Sequence, residues 1–389
     1  MVLSCMPRIH VARLLSLVLI GAVAPAAAQA PLRTAPTVAW AATAGFRDWG
    51  AVVKVGDLVI GANVNGRGGL YAVDDATGKV KWRVGTEHGS EAPVSDGRVV
   101  VMPWWQAEAI AAYAVTTGKP MWRVPFRFVR TNPIALADGL VIAQNGTDGS
   151  LHAFDVATGA ERWTLKITTR FWACGAAPVI ADGTIYVASG VQTPADAKKD
   201  YFLHAIDLQT GQERWRYNPQ PEYPNAGTCL TAIVPVGDTI VATGDAYLYG
   251  IDRQTGRHKY RAEPRDHGRR EPLFGLVSAG AYVFGMSRGQ ISAFDPRSGR
   301  VAWQLDGAFR DGFAAMAAAD GVLYFQGFLP ARDAARGEAN GILHAIDVAT
   351  REFLWDFTYR TEEPWSFHRV TPFDGGLYVD TYKVLLKLK

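Results

Sequence analysis

Two patterns of apolar and polar positions recur along most of this chain. The first is an apolar alternating run, then Asp, two residues, Thr-Gly, three residues and Trp. It reads Leu70 to Trp82 (LYAVDDATGKVKW), Leu151 to Trp163 (LHAFDVATGAERW), Leu203 to Trp215 (LHAIDLQTGQERW) and Ile291 to Trp303 (ISAFDPRSGRVAW). Copies with one or more replaced positions end at Trp122, Tyr260 and Trp355; Ala114 stands for the Asp, Tyr260 for the Trp and Arg351 for the Gly. The second pattern is a strand, a small turn and another strand. It appears at Ala92 (APVSDGRVVVM), Pro133 (PIALADGLVIA), Ala177 (APVIADGTIYV) and Met316 (MAAADGVLYF). The same turn recurs at Gly56-Asp57, Gly237-Asp238, Gly280-Ala281 and Asp374-Gly375. Alternation with period 2, broken by Gly turns, predicts β-hairpins, and the two patterns together predict four strands per repeat.

The terminal aromatics fall at 82, 122, 163, 215, 260, 303 and 355, at intervals of 40 to 52 residues. A four-stranded unit at that period cannot bury both faces of its sheet alone, and stacking such units around a ring does so. Trp40 has no motif ahead of it. The residues after Trp355 hold two strands and the apolar run Val384 to Leu388, but no final Trp strand. The expected fold is therefore all-β: an eight-bladed β-propeller with four antiparallel strands per blade, closed by pairing of the N- and C-terminal strands.

The motif has a structural explanation. Gly accepts the positive φ of the hairpin, Asp accepts turn N–H groups, and Trp wedges between blades with its N–H on an acceptor. His152, His204 and His344 share one repeat position with Tyr71 and Tyr249 and read as packing variants.

Residues 1–30 stand outside this pattern. Arg8 and Arg13, a short apolar run from Leu14 to Ala24 and small residues up to Ala30 predict a cleaved signal peptide, leaving 31–389 as the propeller domain. An uncleaved anchor is the other reading of that run. Lys+Arg number 40 against 37 Asp+Glu, a net charge of +3, which falls to +1 without the two signal arginines. That balance makes no case for nucleic acid, and no later stretch is long and apolar enough to span a membrane. The expected location is periplasmic or extracellular.

The repeat resembles the quinoprotein-type repeat, Ala-x-Asp-x-x-Thr-Gly-x-x-x-Trp, as at Ala72–Trp82, Ala153–Trp163, Ala205–Trp215 and Ala293–Trp303. That resemblance implies one of two roles. Quinoprotein dehydrogenases use pyrroloquinoline quinone with Ca²⁺. The propeller subunit of the β-barrel assembly machinery is a non-catalytic periplasmic scaffold. The near-minimal blades and the absence of a Cys-Cys pair favour the scaffold, with other periplasmic or outer-membrane proteins as partners and no cofactor. The alternative is a quinone-dependent oxidoreductase.

Function is expected on the face that carries the second-to-third loops and the blade connections, because variable loops on a rigid frame carry function. Those connections include Arg47, Arg130, Arg170 with Trp172, Arg310 and Arg369. They read either as an anion-binding funnel able to hold an acidic cofactor, or as inter-blade ion pairs. Trp104 and Trp105 begin one such loop and are expected to contact a partner. Cys174 and Cys229 each lie eight residues before the turn of adjacent blades. This equivalence points to a disulfide, with free thiols or a metal pair as alternatives. No hydrolase, phosphate-loop or zinc-protease motif occurs.

Overall fold

The structure is a computed structural model. It describes residues 31–43, 47–49, 52–65, 68–85, 92–128, 134–167, 177–191, 200–219, 230, 232–244, 247–263, 265–266, 269–270, 273–287, 290–306, 316–328, 341–359, 369–381 and 384–389. These residues form eight antiparallel blades of four strands. Blade 1, for example, runs through Val53–Val55, Leu58–Asn65, Leu70–Asp74 and Val80–Val84, with Arg47–Trp49 extending its inner edge against Leu58–Asn65. A separate small hairpin, Arg265–Asp266 with Arg269–Arg270, precedes blade 6. The first strand of each blade touches the first strand of the next, in order from blade 1 to blade 8, so first strands line the ring's centre.

Closure is as the repeat predicts. Blade 8 has three strands from the C-terminal residues, Arg369–Phe373, Gly376–Asp380 and Leu385–Leu388. Its outermost strand is Val38–Ala42, with Trp40 opposite Lys387 and Ala42 opposite Leu385.

The core lies between blades rather than within them. Successive side chains on a strand point to opposite sheet faces, so Val59 packs into the seam between blades 8 and 1 while Ile60 packs between blades 1 and 2. The described residues hold eight apolar clusters, one at every seam of the ring.

The Asp-x-x-Thr-Gly-x-x-x-Trp motif joins neighbouring blades. In blade 4 the Asp207 carboxylate accepts the Thr210 N–H at 2.9 Å and the Thr210 hydroxyl at 2.9 Å. Gly211 follows with φ +70, and the indole of Trp163 from blade 3 lies flat on it; a Cβ there would sit 2.6 Å from the ring. The Trp163 N–H then donates to the Leu208 carbonyl at 3.0 Å. Trp82, Trp122, Trp215 and Tyr260 donate to the equivalent carbonyls of Val115, Val156, Arg253 and Pro296.

Candidate functional site

A cleft of about 540 Å³ opens between blades 4 and 5 on the face that carries the hairpin turns. Its lining includes Asp182 and Thr184 from the first turn of blade 4, Trp215 and Arg214 from that blade's outer strand, and Asp238 and Arg253 from the two turns of blade 5. The Arg253 guanidinium is held three ways: to the Tyr186 hydroxyl at 3.1 Å, to the Gly237 carbonyl at 3.3 Å and to the Asp182 carboxylate at 2.7 Å. Arg214 donates to the Thr184 hydroxyl at 2.7 Å and to Asp207 at 2.6 Å. Lys259 pairs with Asp238 at 3.0 Å. The charges balance inside the cleft, so it offers hydrogen-bond donors and acceptors rather than a strong net field.

Its polarity follows a rule of the seams. In seven blades one residue of the second strand lies on the side of the following blade's hairpin, and in blade 7 it meets Leu32, which stands in for that hairpin. Where that residue is Ile60, Val101, Ile142, Val241 or Phe284, the hairpin residue across the seam is apolar: Val115, Val156, Leu208, Pro296 or Val348. Where it is Tyr, the hydroxyl meets a polar group. Tyr186 meets Arg253, Tyr378 donates to the Asp75 carboxylate, and Tyr324 accepts the Leu32 N–H at 2.8 Å. A buried phenol needs a partner, and these three seams supply one. Desolvation and the Asp75 charge both push the Tyr378 phenol far above its ordinary value. Lys387, buried at 2% exposure, completes that seam by donating to the Asp75 carboxylate and, at 2.8 Å, to its carbonyl. Burial lowers its ammonium, against the opposing pull of Asp75.

The repeat histidines are cross-strand staples, as their shared repeat position implied. The His204 ring lies between the Ser189 hydroxyl at 2.7 Å and the Glu213 carboxylate at 2.6 Å. That order matches a serine–histidine–acid triad. However, Ser189 and His204 are 2% and 1% exposed, so no substrate reaches them. One blade earlier His152 bonds Glu161 across the same pair of strands, with Ser150 of its own strand on the other ring nitrogen, and in blade 7 His344 bonds Asp356 across them. Recurrence at one repeat position, in strand-to-strand geometry, identifies it as packing.

Of the residues singled out in the sequence, Trp104 is corrected. It ends the strand Val99–Trp104, is fully buried between blades 1 and 2, and donates to the Tyr113 hydroxyl at 3.1 Å. It is core rather than a partner contact, because the strand continues one residue further than expected and turns this side chain into the seam. Trp105 follows in a four-residue turn and is half-buried. Arg369 opens the innermost strand of blade 8, half-buried, and lies opposite Asp380 in register. Arg47 lies in the strand that extends blade 1, its side chain outside the described residues. Arg130, Arg170, Trp172, Arg310, Cys174 and Cys229 lie outside the described residues altogether.

Among the described residues no three His, Cys, Asp or Glu side chains converge as a metal ion would require. The cleft between blades 4 and 5 was not anticipated. Its signal was present in the sequence as Arg253, which stands where most other copies of the motif carry Val, Leu or Pro.

Comparison with known proteins agrees with this architecture. A curated relative from Burkholderia pseudomallei strain K96243, outer membrane protein assembly factor BamB, is 25% identical over 311 residues, or 78% of this chain. The match spans 64% of that relative's own length. The crystal structure of BamB from Moraxella catarrhalis superposes with a TM-score of 0.64 at 18% identity, covering 92% of this chain and 98% of that one. The quinohemoprotein alcohol dehydrogenase ADHIIG from Pseudomonas putida HK5 shares the fold at a TM-score of 0.65 and 14% identity, over 91% of this chain and 76% of that one. The family profile described as outer membrane protein assembly factor BamB matches residues 32–200, 106–283 and 199–384, so the overlapping matches run through all eight blades. The chain belongs to that family of PQQ-like repeat propellers.

Proposed function

We propose that this chain is a non-catalytic scaffold that binds other proteins of the periplasm or outer membrane and serves outer-membrane protein assembly. The observation that carries this reading is the family match, which extends over the whole ring. The architecture is consistent with it. Eight apolar seams and a bonded hairpin at most of them make a stiff frame, and a stiff frame presents a surface at little entropic cost on binding. The reading includes export by way of residues 1–30, whose basic start, short apolar run and small residues have the layout of a signal peptide.

The reading is tested by cross-linking the tagged chain in its host and identifying the captured proteins by mass spectrometry. Outer-membrane assembly proteins should be recovered, and Trp105→Ala, which trims the half-exposed indole, should lower their yield. A parallel titration of the purified chain with pyrroloquinoline quinone and Ca²⁺ should leave the quinone spectrum unchanged. A saturable spectral change, with dye reduction on adding alcohols or sugars, would replace the scaffold with the oxidoreductase.

A further inference from the structure

The outermost strand of each blade is the end of its sheet among the described residues, with one row of backbone N–H and C=O groups facing outward. Proteins blunt such edges with lysine, arginine or proline, since a bare edge is a template for another strand. Blades 1 to 5 are blunted in this way. Their outer strands read VKWRV, PMWRVP, ERWTLK, ERWRY and HKYRA, and every one carries at least one Lys or Arg. The outer strands of blades 6, 7 and 8 read VAWQLD, FLWDFT and VAWAA and carry none. These three edges are consecutive around the ring. Each exposes a large apolar side chain two residues before its Trp, Val301 at 43%, Phe353 at 55% and Val38 at 40%; Val80 on blade 1 and Met121 on blade 2 are exposed too, but on strands that carry Lys or Arg. Phe353 is the most exposed large hydrophobic residue among those described.

We infer that the arc of blades 6, 7 and 8 is a docking surface for an extended polypeptide segment that adds to an outer edge as a further β-strand. The occupant is a segment alternating apolar residues with Lys or Arg. A backbone row that faces outward from the last strand of a sheet dictates a strand, because only a strand satisfies successive N–H and C=O groups along an edge. Exposed Phe353 and Val301 call for apolar side chains on the incoming strand. Charge chooses the rest. The blade 7 edge holds Asp356, whose carboxylate is 59% exposed and bonds His344, and the three outer strands themselves hold no cation, the exposed Arg300 and Arg351 lying in the hairpins just before the first two. The outer strands of blades 1 to 5 carry nine cations against Glu161 and Glu213; Lys81, Arg162, Arg214 and Lys259 are paired with turn carboxylates, but each strand keeps an excess of positive charge that disfavours a basic strand. The inference stands apart from the scaffold reading, since these edges are present whether or not the chain joins an outer-membrane complex.

The test is fluorescence anisotropy with the purified chain and a short labelled peptide alternating Val or Phe with Lys. Binding should be saturable. It should weaken by about tenfold or more when alternate peptide amides are N-methylated, because those amides can no longer pair with an edge. Phe353→Lys with Val301→Lys should weaken it to a similar degree, while Val80→Lys on the guarded edge of blade 1 should leave it within about twofold. Equal binding by the N-methylated peptide, or equal loss from Val80→Lys, overturns the proposal. So does a concentration-dependent dimer in sedimentation velocity that Phe353→Lys abolishes while the peptide fails to bind, which would make a second copy of this chain the occupant.

Discussion

At the scale of single residues, the seams differ in one hydrogen bond. Seven outer-strand aromatics donate to a carbonyl across the seam, with Trp40 on Asp75 at 2.8 Å and Trp355 on Leu32 at 2.9 Å completing the set. Trp303 is the exception: its indole N–H is buried without an acceptor. Across that seam Arg351 holds the position that most other hairpins give to glycine, with φ +65, and its guanidinium stacks 5.6 Å from the indole. A side chain where others have none keeps the ring from settling as it does on Gly211. The two sites make a matched pair. Trp163→Phe and Trp303→Phe remove similar area, but only the first breaks a bond and strands a carbonyl. Denaturant unfolding should show Trp163→Phe costing about 1 kcal/mol more than Trp303→Phe. Equal losses would mean that the indole N–H bonds contribute nothing to the seams.

At the scale of the element, the hairpin Asp residues contribute to acid stability. Asp74, Asp155, Asp207 and Asp347 are all lowered to about 2, chiefly by hydrogen bonds from Thr77, Arg162, Arg214 and Arg33 respectively. A carboxyl depressed in the folded state stays ionised where the unfolded chain already binds a proton. The resulting stability is fully present above the ordinary carboxylate value of 3.8 and is lost as pH falls from there towards about 2. The melting temperature should therefore be insensitive to these groups near neutral pH and fall steeply below about pH 4. The double variant Asp155→Asn, Asp207→Asn should melt lower at neutral pH and show a shallower acid slope. An unchanged slope would move acid sensitivity elsewhere, for example to Glu213, which His204 lowers.

At the scale of the whole molecule, the ring depends on its first described residues. Blade 8 has no motif hairpin of its own, so the seam between blades 7 and 8 lacks the usual carbonyl. Leu32 supplies it: its carbonyl takes the Trp355 N–H, its N–H goes to Tyr324, its side chain enters the apolar cluster, and Arg33 pairs with Asp347. Val38–Ala42 then completes the sheet. Removing residues 31–43 should lower the melting temperature by on the order of 10 °C or abolish cooperative unfolding, because one seam loses its bridge and blade 8 its edge at once. Melting followed by circular dichroism decides this, and a shift within about 2 °C would refute the closing role.

The number of blades, the positions of most strands and turns and the exchange of the last strand were determined by sequence alone. All of these are local signals: alternation with period 2, a glycine where φ must be positive, and a fixed count from Asp to Trp. The tertiary structure decided what each side chain meets. Trp104 and Trp105 are adjacent and chemically alike, yet one fills a seam and the other sits in a turn, because the strand ends between them. Tyr186 and Arg253 are 67 residues apart and Leu32 and Tyr324 are 292 apart, so no local pattern links them. The cleft between blades 4 and 5 exists because the ring brings one blade's second strand against the next blade's hairpin. Periodicity encodes the frame, whereas a site is made of residues that only closure of the ring makes neighbours.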